Sequence, residues 1–168
     1  AIAVYSELIE NDKLEGTSNI LYSRGISYEQ IKNWGKAEQD FKRSLDLNPN
    51  DPYVLNYLAY SWLDRKMNID KALELLKKAV DLEPSDGYIR DSLGWAYFLS
   101  KKFEESVYHL EKAVVMLPDD ATLNDHLGDA YWMSNRKSEA LSQWKKVLVI
   151  DPDYKDKNLV HKKINKGL

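Results

Sequence analysis

Apolar residues recur along this chain at intervals of three and four, in blocks broken by short polar runs. The block Ala72, Leu75, Leu76, Ala79 and Val80 is representative, because that spacing places all five on one face of an α-helix. Blocks of this kind end at prolines. Pro49, Pro84, Pro118 and Pro152 stand 35, 34 and 34 residues apart, behind the runs LDLNP, VDLEP, VVMLP and LVIDP. Proline cannot continue a helix and suits the first turn of the next one. Between prolines lies a second apolar block, set off by the polar turns NWG, RKMNID, SKK and SNRK. The pattern predicts a helix–turn–helix–turn unit, repeated in register.

Within the units the same side-chain sizes return. The first carries Leu21, Gly25, Tyr28, Ala37, Phe41, Ser44 and Pro49, and the second Leu55, Leu58, Ala59, Trp62, Ala72, Leu76, Ala79 and Pro84. The third has Leu93, Gly94, Tyr97, Ser106, Leu110, Ala113 and Pro118, and the fourth Leu127, Gly128, Tyr131, Ala140, Trp144, Val147 and Pro152. Glycine inside a helix costs about 1 kcal/mol against alanine, so its return at one position implies close helix packing. Arg90 and Asn124 fall where a large apolar residue is expected, and Ile89 and Leu123, one residue earlier, are expected to do that packing. A single hairpin leaves an apolar side uncovered, so the units must stack to close a core.

These positions together resemble the tetratricopeptide repeat (TPR), whose pattern is a large apolar residue, Leu-Gly/Ala, Tyr, Ala, Phe, Ala and Pro. The resemblance implies an all-α fold, an α-solenoid of antiparallel helix hairpins wound as a right-handed superhelix. It divides the chain into 1–13 (the second helix of a truncated repeat), four repeats at 18–51, 52–86, 87–120 and 121–153, and a capping helix at 154–168. In the first segment Ala1, Tyr5 and Leu8 hold the second-helix positions, and Lys13 stands where proline is expected. In the last, Leu159, Val160 and Ile164 form the predicted apolar face among lysines. The blocks DSLGWAY and NDHLGDAYW are similar to repeats of a bacterial TPR group that includes envelope lipoproteins which scaffold other proteins. That likeness leaves the compartment open between envelope, periplasm and cytoplasm.

A stacked helical array presents a concave surface lined by the first helix of each repeat. Helical spacing names the lining as offsets −3, +1 and +4 from the small residue at 25, 59, 94 or 128. The expected partner-binding groove is Tyr22, Ile26, Tyr53, Asn56, Tyr60, Tyr88, Asp91, Trp95, Asp125, Asp129 and Trp132, where Tyr53 and Tyr88 stand one turn before the −3 position, with Glu29, Leu63 and Phe98 at further +4 positions. Exposed aromatics on a concave face suit peptide or protein anchors; the competing reading is that Tyr60, Trp95 and Trp132 only fill gaps between adjacent helices. Chaperone-binding TPR domains hold a C-terminal carboxylate with a clamp of Lys, Asn and Arg. Here the matching positions are Tyr22, Ile26, Tyr57, Tyr88 and Ser92, and Asp91, Asp125 and Asp129 would repel a carboxylate. The expected partner is a neutral or basic protein segment with apolar anchors.

Composition narrows the remaining classes. The net charge is −3, which disfavours a general nucleic-acid binder. The charge is uneven: acids dominate from Val80 to Ala130, and lysines gather from Arg136 to the end. No run reaches the ~18 apolar residues of a membrane span, so no direct membrane insertion is expected. Cysteine is absent, which removes disulfides, thiolate metal sites and cysteine nucleophiles. His109, His126 and His161 lack ligand spacing, so no metal is expected. Ser92, His126 and Asp129 make a paper triad without a strand-turn elbow. No catalytic residue and no cofactor are expected. The start AIAVYSELIE lacks an initiating Met and a basic leader, and reads as a cut within a longer chain. Ile2, Tyr5, Leu8 and Ile9 would then form an uncapped, adhesive edge, so homodimerisation or self-assembly through it is the alternative function to a non-catalytic scaffold that binds a partner segment.

Overall fold

The computed structural model describes residues 1–10 and 16–168; Lys13 and its neighbours lie outside the described residues. Among the described residues the regular elements are ten α-helices and no strand. They are α1 (Ile2–Glu10), α2 (Thr17–Gln30), α3 (Trp34–Leu47), α4 (Pro52–Asp64), α5 (Ile69–Leu82), α6 (Gly87–Leu99), α7 (Phe103–Met116), α8 (Ala121–Met133), α9 (Lys137–Ile150) and α10 (Lys157–Lys166). Short turns fold α2 on α3, α4 on α5, α6 on α7 and α8 on α9, giving four hairpins stacked in sequence order.

Local chemistry sets the helix ends. Asp51, Asp86 and Asp120 cap α4, α6 and α8, each carboxylate accepting from two backbone N–H groups of the first turn. Within the third and fourth hairpins the turn places Lys101 and Asn135 at φ 60° and 62°. The next N–H then reaches back to the Tyr97 or Tyr131 carbonyl and closes the helix end.

The repeated glycines mark close approach. A Cβ built on Gly128 would lie 2.5 Å from the Trp144 ring, and one on Gly94 2.6 Å from Leu110. Ile89 and Leu123 are buried as expected. Arg90 and Asn124 are buried too, for a reason of their own. The Arg90 guanidinium donates to the Pro84 carbonyl at 2.9 Å, and the Asn124 amide donates to the Pro118 carbonyl at 3.0 Å. Each ties its helix to the proline turn six residues earlier. A polar residue there satisfies a buried carbonyl instead of adding apolar bulk.

Buried apolar side chains form two clusters, one from Ala37 to Ala96 and one from Val107 to Val160. First helices touch across repeats, α4 against α6 and α6 against α8, whereas the second helices make no comparable contact with one another. Direct packing of the first helices puts them on the tighter, concave side. Helix α10 follows α9 and docks on the fourth repeat through Val160 and Ile164. Here the expected apolar face changes: Leu159 is exposed and Lys163 is buried. Successive residues turn by about 100°, which puts Ile164 and Lys163 about 40° and about 60° to either side of Val160 and leaves Leu159 at the rim, about 100° from it.

Candidate partner-binding groove

The groove residues divide according to what the next first helix brings against them. In the first repeat Tyr22 and Ile26 are half-buried against the core. Tyr22 lies 6.1 Å from the Phe41 ring and meets Tyr57 edge-on at 5.7 Å, so α2, α3 and α4 share an aromatic cluster. Burial, then the nearby Tyr57 and Asp51, push the Tyr22 hydroxyl up to about 12. Leu63 is buried in the core and leaves the groove.

The middle of the groove is open. Tyr53, Tyr60 and Tyr88 are 51%, 39% and 55% exposed. Asn56, Tyr57, Tyr60, Tyr88, Asp91, Ser92, Asp120, Thr122 and Leu123 enclose a cavity of about 270 Å³ between α4, α6 and the start of α8. Tyr57 and Tyr60 form the ridge to a second hollow of about 230 Å³ that reaches Glu29, Asp64 and Arg65. In that hollow Glu29 is held by Arg65 at 3.0 Å and by the Ser61 hydroxyl at 2.9 Å.

Toward the C terminus the groove closes. Trp95 stacks on Phe98 at 4.7 Å and on the His126 ring at 4.2 Å. Asp91 faces His126, with both carboxylate oxygens 3.0 Å from Nδ1. Burial works against a charged His126, but Asp91, by charge and hydrogen bond, and then Asp125 and Asp129 more than offset it and raise its pKa. Asp125 and Asp129 are each 6% exposed, and Lys163, 4% exposed, donates to both at 2.8 and 2.9 Å. The Trp144 indole N–H also donates to Asp129 at 3.0 Å. Burial would lower the Lys163 pKa, yet Asp129 and Asp125 hold it above the ordinary lysine value. Trp132 packs on Trp144 at 5.5 Å, with Lys137 over its ring and Gly167 against it.

This corrects the expected lining: Trp95, Asp125, Asp129 and Trp132 are occupied by the chain's own side chains. The reasons differ: Lys163 of α10 supplies the counter-charge for Asp125 and Asp129, Trp144, Lys137 and Gly167 cover Trp132, and Phe98 and His126 cover Trp95. The residues missing from the expected lining are Tyr57 and Ser92, then Asp120, Thr122 and Leu123, which enter the cavity from the start of α8, and Lys163. The cap signal at Asp120 was readable as a helix start but carried no sign of its place in the groove. Lys163 was indistinguishable from its solvent-facing neighbours. The paper triad is not assembled, since Ser92 Oγ donates to the Tyr88 carbonyl at 3.1 Å and His126 turns to Asp91. Among the described residues no His, Asp and Glu group could hold a metal ion, and no helix is long and apolar enough to cross a membrane.

Comparison with known proteins agrees with the stacked-hairpin fold. Two family profiles, both described as tetratricopeptide repeat, match residues 18–51 and 63–121, together more than half of the chain. The chain belongs to the tetratricopeptide repeat family. Among solved structures, this TPR chain is similar to MamA residues 41 to the end from Desulfovibrio magneticus RS-1, with a TM-score of 0.78 and 23% identity over 91% of this chain and 85% of that one. A MamA RS-1 double mutant gives a TM-score of 0.78 at 23% identity over 90% and 84%. Another crystal structure of MamA gives 0.74 at 20% over 100% and 85%. At these identities the likeness concerns the fold. No curated protein matches the chain. As a TPR array it is a protein-interaction or assembly scaffold.

Proposed function

We propose that this TPR array binds an extended or helical segment of a protein partner along the middle of its concave face, without catalysis. The observation that carries the reading is the open cavity bounded by Asn56, Tyr60 and Tyr88, with Tyr53 exposed beside it. Tyrosines supply large contact area at low entropic cost, and their hydroxyls add adaptable hydrogen bonds. The groove acceptors Asp91 and Asp120 favour a neutral or basic segment over one that presents a carboxylate.

The experiment replaces Tyr60 and Tyr88 together by alanine and measures binding to peptides selected from a random display library. Binding is expected to fall at least tenfold while circular dichroism and the melting midpoint stay nearly unchanged. Loss of fold in the double variant, or unaltered binding, overturns the reading.

A second reading, self-assembly, has its own observation. On α1, Val4 and Leu8 are 57% and 39% exposed. Sedimentation of the full-length protein decides it, because a monomer at all concentrations removes self-assembly.

A further inference from the structure

We infer that the cavity between α4, α6 and the start of α8 receives a cationic side chain of the bound segment, arginine in preference to lysine. The inference rests on the groove reading and specifies the chemistry of its central contact.

The lining is made of aromatic faces and hydrogen-bond acceptors. Tyr57, Tyr60 and Tyr88 provide the rings, and Asp91 and Asp120 provide carboxylates. No lysine, arginine or histidine lines the space. Asn56 lines it too, and its side-chain oxygen Oδ1 is buried with no hydrogen-bond partner. That acceptor is already unmatched in the free protein, so a guest that brings a donor to it gains a hydrogen bond with no protein partner to displace. Asp120 uses Oδ1 to cap α8, and among the described residues it has no ion-pair partner. Asp91 lines the cavity while both its carboxylate oxygens face His126 Nδ1 at 3.0 Å.

Each candidate guest can be weighed against this lining. A carboxylate meets two like charges and no donor cation. An apolar side chain covers the rings but brings no donor to Asn56 Oδ1 and no counter-charge to Asp120. A cationic side chain brings only donors and is attracted to tyrosine faces and carboxylates alike. Arginine is the better fit, because its planar group serves several acceptors at once and stacks on a ring. A cavity of about 270 Å³ has room for one long side chain.

The test starts from the same random peptide display against the whole protein. Selected peptides are then synthesised with a fluorescent label, and each arginine is exchanged for citrulline, its neutral isostere. The expected result is enrichment of arginine or lysine in peptides that need Tyr60 and Tyr88, a loss of at least tenfold on the exchange to citrulline, and a several-fold loss on Asp120→Asn. Asparagine remains a good helix cap, so that variant removes the charge and keeps the helix start; its melting midpoint verifies this. Peptides that need Tyr60 and Tyr88 yet bind equally well with citrulline overturn the cationic pocket and leave the groove reading standing. A selection with no peptide sensitive to those tyrosines overturns both.

Discussion

The same register position on α4 and on α8 has opposite fates. Asn56 and Tyr60 sit three before and one after Ala59, and they open onto a cavity. Asp125 and Asp129 sit at the corresponding places around Gly128, and they are sealed beneath Lys163. Asp91 and Trp95, around Gly94, lie between these extremes: both are engaged by His126, and Asp91 alone of the two lines the cavity. A first-helix residue on the concave side is therefore neither site nor core by its position alone. The neighbour that follows it decides: α10 carries a lysine matched to two carboxylates, whereas nothing on α6 partners the Asn56 side-chain oxygen.

The most direct way to undo that contrast is to remove Lys163. Lys163→Ala leaves two buried carboxylates unpaired, and breaking a buried pair costs about 3–5 kcal/mol. Urea unfolding should show that loss, and a change under about 1 kcal/mol would mean that α10 does not seal the groove as described. Replacing Lys163 by methionine together with Asp125→Leu and Asp129→Asn should recover much of it, since a well-packed apolar substitute for a buried ion pair is often neutral or better.

A smaller effect separates close-packed from open glycines. Gly128→Ala drives a methyl into the Trp144 ring and should destabilise by about 1–3 kcal/mol, as overpacking does. Gly35→Ala has no atom within 4 Å of its new Cβ and should stabilise by up to about 1 kcal/mol through helix propensity. Thermal melts of the two variants should move in opposite directions.

The pH response is the finest discriminator. The folded His126 pKa is raised above 6.5, chiefly by Asp91 working against burial. Its contribution to stability is therefore complete below the unfolded pKa and is lost as pH rises through the folded one. The stability gap between the wild type and His126→Gln should be largest near pH 6 and shrink on the way to pH 9. Lys163, raised above 10.5, should keep its contribution across that whole window and lose it only in strong alkali. A gap that grows with pH would reverse the assignment of charge at the Asp91–His126 contact.

Much of the fold could be read along the chain. Proline spacing, the small residues at 25, 59, 94 and 128, and the alternation of apolar blocks follow from short-range rules of helix propensity, periodicity and capping. The tyrosines at 53, 60 and 88 were readable as groove candidates for the same reason, because helical geometry fixes which way a side chain leaves its own helix. What meets that side chain was not readable. Lys163 lies 38 and 34 residues from its two carboxylates, inside a lysine-rich stretch where no other lysine is buried. The Asp120 turn reaches the Tyr60 cavity although three helices separate them along the chain. One-dimensional order thus accounts for the hairpins and for the direction of each face, which depend on contacts within a turn or two. The division of that face into an open pocket and a closed charge cluster came from the stacked assembly, because pairing and burial depend on groups that meet only after the repeats have packed.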